Sequence, residues 1–153
     1  SKLHLHIANA NQTFTDAEIA IFKNTAQQAE AFVSSEFAQF DYEVDVIITT
    51  PSFMLPTIAE DGIAGKTLHS RLIMISVDKS QHGVSEDFIF ETICHEMSHS
   101  LRWEKLPEYA ETMFDGMILE GLAVALEEEA IIKLGRRNQQ FFLREMKSKG
   151  ILP

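Results

Sequence analysis

Apolar and polar residues alternate from Leu3 to Ala8, which predicts a first strand, and the polar stretch Asn9 to Thr13 turns the chain toward a helix. Thr15 and Glu18 stand at the spacing of a capping box, in which each side chain satisfies a free backbone N–H of the other residue. Ile19, Phe22, Ala26, Ala29, Val33 and Phe37 then recur at helical spacing, so this helix carries an apolar stripe that a sheet or another helix must cover. From Tyr42 to Thr50, Val44, Val46 and Ile48 oppose Glu43 and Asp45 with a period of two, a second strand stopped by Pro51.

Pro51 to Ser70 contains Pro51, Pro56, Asp61-Gly62 and Gly65, which predicts a long loop with a small hairpin at the Asp-Gly turn. Arg71 to Val77 is a third strand. Ser85, followed by Glu86 and Asp87, reads as an N-cap with acids at the positive end of a helix running to about Lys105. Pro107 suits the first turn of a further helix to about Leu134, with a break expected near Asp115-Gly116, and Gly135 precedes a short C-terminal helix. The acids Glu108, Glu111, Asp115, Glu120 and Glu127 to Glu129 come before a basic end with Lys133, Arg136, Arg137, Arg144, Lys147 and Lys149, and read as solvated faces that complement helix dipoles.

At 153 residues the chain is expected to form one domain over 1–153, of the α+β class with a small sheet. Its formal charge of -10 argues against a surface that holds nucleic acid by phosphate contacts. Cys94 is the single cysteine, so an intramolecular disulfide and a multi-thiolate metal cage are both excluded. The N-terminal residues lack the apolar run of a leader, and no stretch has the length and apolar character of a membrane span; a soluble, cytoplasmic protein without a membrane partner is expected.

The chemistry enters with His95-Glu96-Met97-Ser98-His99, an HExxH sequence within the predicted helix. At about 100° per residue, His95 and His99 lie on one face a turn apart, so both imidazoles can reach a single metal ion. Glu96 sits beside that face, where a carboxylate can act on a metal-bound water without taking a metal position, as a general base does in a zinc hydrolase. Phe90, Ile93, Cys94, Met97 and Leu101 fall on the opposite side, which separates a core stripe from a histidine face and makes Cys94 a small buried hydrophobe.

A catalytic zinc needs a third protein ligand and an open position. Arg102 and Lys105 stand where a metzincin carries glycine and histidine, and there is no second Glu-x-x-His for a di-iron bundle. A downstream glutamate remains. Among several acids, Glu120 has Gly116 and Ala123 on its helix face, small residues that allow close approach to the histidine helix. Glu108, Glu111 and the Glu127 to Glu129 run lack that setting.

The run from His95 to Trp103, with Arg102 in it, followed by Glu120-Gly121-Leu122-Ala123, resembles the glutamate-ligand zinc metallopeptidases, or gluzincins. More closely, it is similar to a bacterial family of predicted Zn-dependent proteases with HExxHxxR and EGLA elements, over about Gly62 to Glu128 and including a Gly65-Lys66-Thr67 turn. The resemblance implies a zincin-like minimal metalloprotease domain with zinc ligands His95, His99 and Glu120 and Glu96 as base. It also implies that Arg71 to Val77 is the edge strand beside the cleft, able to pair with an extended peptide.

Thermolysin-like enzymes often have an aspartate four residues after the ligand glutamate, but this chain has Val124 there, and Asp115 is the alternative considered for orienting a histidine. Arg102, Tyr109 and His69 are the candidate transition-state electrophiles. His4, His6 and His82 read as exposed histidines. The leading expectation is a Zn2+-dependent peptidase that hydrolyses a peptide or protein substrate through a zinc-bound water activated by Glu96. The alternatives are a zinc-stabilised, non-catalytic binding module on the same fold, and a helical interaction protein without metal.

Overall fold

The structure is a computed structural model and describes residues 1–50, 62–80, 83–105 and 111–134. Among these residues the order is β1 (Leu3–Ile7), α1 (Asp16–Glu36), β2 (Val44–Thr49), β3 (Ile63–His69), β4 (Leu72–Val77), α2 (Glu86–Trp103) and α3 (Met113–Lys133). The class is α+β: three helices and a four-stranded mixed sheet in the order β1-β2-β4-β3. β1, β2 and β4 run parallel, with Leu5 opposite Val46 and Val46 opposite Ile73, while β3 is antiparallel to β4.

The strand alternation decides which face is covered. Val44, Val46, Ile48, Ile73 and Ile75 are fully buried against Phe22 and Val33 of α1 and Ile89, Phe90, Ile93 and Met97 of α2. α1 packs on β1 and α2, and α2 packs in turn on β3, β4 and α3. The Thr15 hydroxyl accepts the Glu18 N–H at 3.2 Å and the Glu18 carboxylate accepts the Thr15 N–H at 2.9 Å, so α1 starts in a closed capping box. Cys94 is buried in the core.

Several expectations need correction. The supposed loop contains β3, which turns into β4 at Ser70-Arg71; the hairpin turn expected at Asp61-Gly62 reaches into residues 51–61, which lie outside the described residues. Gly62 sits at the far end of β3 with φ +69°, where a Cβ would come within 2.5 Å of the Asp78 carbonyl oxygen. β4, expected at the edge, lies between β2 and β3, so the edge strand nearest α2 is β3. A partner strand on each side saturates the β4 backbone, which leaves no free ladder there for an added peptide.

The last described helix also starts later than Pro107 suggested. Thr112 is its N-cap, with a capping box closed by Asp115, and the helix continues through Gly116 without a break. Position 107 and the predicted C-terminal helix after Gly135 lie outside the described residues. No described helix is long and apolar enough to cross a membrane.

Candidate metal centre

α2 is amphipathic in an unusual sense: one side is core and the other is chemistry. Ser85 caps it by accepting the Phe88 N–H, and the apolar stripe of Ile89, Phe90, Ile93, Cys94, Met97 and Leu101 fixes its rotation on the sheet. His95 and His99 consequently leave the helix together toward α3, with side chains 13% and 12% exposed. Glu120 of α3 meets both. Its Oε2 is 3.2 Å from His95 Nε2, its Oε1 is 3.4 Å from His99 Nε2, and the two imidazole nitrogens are 3.3 Å apart.

Three donor groups of this kind can hold a metal ion. A tetrahedral zinc with bonds of about 2.0–2.1 Å has neighbouring donors about 3.3–3.4 Å apart. The 3.3 Å between the two imidazole nitrogens matches that spacing, each ring meets a different oxygen of the Glu120 carboxylate, at 3.2 and 3.4 Å, and two imidazoles with one carboxylate are a chemically apt set for zinc with a position left open. Glu120 is 64% exposed, so the side of the cluster it occupies is accessible to solvent.

Glu96, beside His95 on α2, is seated against β3. It is 6% exposed, and the Thr67 hydroxyl of β3 lies 2.7 Å from its Oε2 and 3.0 Å from its own carbonyl oxygen. Gly65, two residues earlier on the same strand, makes this approach possible: a Cβ there would lie 2.8 Å from both Cγ and Oε1 of Glu96 and 2.7 Å from the Thr92 methyl. The segment read as a Gly65-Lys66-Thr67 turn is therefore a strand, and two of its residues form the seat of the Glu96 side chain.

The structure separates the remaining candidates. The Arg102 guanidinium contacts Ser98 Oγ at 2.5 Å and His99 Nδ1 at 3.1 Å, and donates to the Leu119 carbonyl at 3.0 Å, linking α2 to the residue before Glu120. His69 accepts the Arg71 N–H in the β3–β4 turn at 3.2 Å. Asp115 spends its carboxylate on the Thr112 N–H and hydroxyl, so it is a capping residue and does not orient a histidine. His4 and His6 are exposed and pair with Glu43 and Asp45. Tyr109 and His82 lie outside the described residues.

Sequence reasoning missed one acid here. Glu127, expected on a solvated face, is 2% exposed, and its Oε2 lies 3.2 Å from His95 Nδ1. The signal was available, because seven residues after Glu120 is about two helical turns and returns to nearly the same face.

Without a metal these carboxylates load His95 with a proton. Burial lowers its pKa, but the hydrogen bonds it donates to Glu120 and Glu127 and the nearby Glu96 charge outweigh this and raise it from 6.5 to about 10. The bonds to His95 and His99 hold the Glu120 carboxyl well below its usual range despite partial burial. The raised histidine contributes stability that is complete below pH 6.5 and is lost as pH rises through about 10, and the depressed glutamate contributes above pH 4.5 and loses it as pH falls. The cluster therefore supports the metal-free fold best between pH 4.5 and 6.5. Metal needs His95 unprotonated, so the opposite trend holds for binding. Thermal unfolding across that range and up to about pH 9 should show the chelated protein losing stability with rising pH while the increment from added zinc grows; a zinc increment that shrinks with pH contradicts the assignment.

A family model described as Predicted Zn-dependent protease (DUF2268) matches residues 22–149, and the chain belongs to that family. No curated protein and no solved structure gives a significant match.

Proposed function

We propose that this member of the predicted Zn-dependent protease family is a gluzincin-type zinc peptidase on a zincin-like fold, acting on a peptide or protein substrate. The observation that carries the reading is the convergence of His95, His99 and Glu120, with one donor atom of each within 4.8 Å of the others, from two helices, beside a buried glutamate. Zinc, when bound by these three residues, supplies Lewis-acid polarisation of the scissile carbonyl and acidification of the attacking water.

The chain's own residues do the rest. Glu96 takes the proton from the attacking water and passes it to the leaving amine. The Thr67 hydroxyl holds one oxygen of that carboxylate, which limits its rotation and keeps the other oxygen for proton transfer. Arg102 acts here as a strut: its bonds to Ser98 and the Leu119 carbonyl tie the ligand-bearing turns of the two helices together. Tyr109 is the proposed hydrogen-bond donor to the developing oxyanion, on the chemistry of a phenol alone.

Protein purified without added metal should carry about one zinc per chain. It should cleave members of a mixed peptide library and lose that activity to a chelator. Less than half an equivalent of zinc after reconstitution would remove the ligand assignment. Full zinc with no peptide cleaved would favour the non-catalytic binding module.

A further inference from the structure

We infer that Glu127 is a positioning residue of the metal centre, holding the His95 ring with its proton on Nδ1 so that Nε2 offers a lone pair beside His99 and Glu120. The inference rests on the reading of His95, His99 and Glu120 as zinc ligands. Glu127 Oε2 lies 3.2 Å from His95 Nδ1, while His95 Nε2 faces Glu120 at 3.2 Å and His99 at 3.3 Å. A carboxylate accepts, so Nδ1 is the donor, and a neutral imidazole with its proton on Nδ1 has its lone pair on Nε2.

Two other roles for Glu127 fail on geometry and energetics. It cannot join the same ion as a further ligand to Nε2, because the two ring nitrogens point away from one another and its oxygen sits at the Nδ1 side. Packing alone does not account for it either. Glu127 is 2% exposed on the α3 face that buries Ala123, Leu126, Ala130 and Ile131, where an apolar side chain would fill space without the cost of burying a carboxylate.

Three nearby residues are unsuited to this work on His95 by their chemistry or their contacts. Val124 has no polar side-chain atom, and Asp115 is engaged with Thr112. Arg102 faces the other histidine, and a guanidinium only donates. Because Glu120 and Glu127 share one face of a continuous helix, α3 delivers the third ligand and the orienting acid as a single rigid piece.

The test compares wild type, Glu127→Ala, Glu127→Gln and, as a control, the exposed Glu129→Gln, measuring zinc affinity by competition with a chromophoric chelator. The Co2+ absorption spectrum and the imidazole 15N shifts of His95 provide readouts independent of activity. Loss of the orienting acid should weaken zinc binding about 10- to 100-fold in Glu127→Ala and alter the Co2+ spectrum. Glu127→Gln should recover part of the affinity, because its carbonyl oxygen still accepts the Nδ1 proton, and Glu129→Gln should match wild type.

Wild-type affinity in both Glu127 variants, or zinc-loaded His95 ligating through Nδ1, overturns the inference while leaving the zinc site standing. If Glu127→Ala does not fold, Glu127→Gln decides: unchanged affinity together with unchanged His95 shifts overturns the role. A wild type that binds no zinc is a different failure, that of the ligand reading itself.

Discussion

Glu96→Gln keeps its fold and its zinc, and hydrolyses peptides at least about 100-fold more slowly than wild type. The substitution is nearly isosteric in a pocket where Glu96 is only 6% exposed and where Gly65 and Thr92 leave little room for a different shape. The Thr67 hydroxyl, 2.7 Å from Oε2, can donate equally well to the amide oxygen of glutamine, so the side chain stays seated. What disappears is the ability to accept a proton from the attacking water and return it to the amine. The measurement is cleavage of a mixed peptide library by zinc-loaded wild type and variant, with chelated protein as control. Activity that survives both the substitution and the chelator belongs to a contaminant or to another mechanism. A small loss that the chelator extends to zero would keep the metal and remove Glu96 as the base.

The parts of this site that could be read from the sequence are those encoded within one helical turn. The His95, His99 pair and the opposing Ile93, Cys94, Met97 and Leu101 stripe are a local periodicity, and the core the sheet offers α2 requires the rotation that periodicity predicts. The Thr15 and Glu18 capping box is similarly local. β3 was illegible for the opposite reason. Its Gly65, Lys66 and Thr67 show no alternation of large apolar groups, and the strand owes its place to pairing with β4 and to the close approach of Thr92 and Glu96, residues almost thirty positions away. Misreading it also misplaced the edge of the sheet, since β4 acquires a second neighbour once β3 exists.

The two errors on α3 have a different origin, because both signals were present. Thr112 and Asp115 stand at capping-box spacing, but Pro107 offered an earlier start and Asp115-Gly116 suggested a break. Glu127 looked solvated as one of three consecutive acids. Composition assigns the three a common fate, whereas helical geometry sends them in different directions: Glu127 inward to His95, and Glu129 outward to Lys133 at 3.3 Å.

Glu120→Ala should weaken zinc binding by more than about 100-fold, beyond the range of substitutions that only perturb a ligand's orientation. Glu111→Ala and Glu128→Ala, which remove acids of the same region, should stay within about two-fold of wild type, because neither is part of the donor cluster. The comparison removes the general charge effect, since each variant loses one negative charge. The protein should still fold: Glu120 is 64% exposed, and its removal opens no core cavity. Competition against a chromophoric chelator at fixed pH measures all three, and elemental analysis gives the stoichiometry. Equal losses in the three variants would reduce Glu120 to one of several acids that enrich cations nearby. Retained affinity in Glu120→Ala with complete loss in Glu127→Ala would mean that His95 turns its Nδ1 toward the metal and that the ligand lies two turns further along α3. The placement of Glu120 between the Nε2 atoms of both histidines, with Glu127 behind the ring of one, is why the larger loss is expected at Glu120.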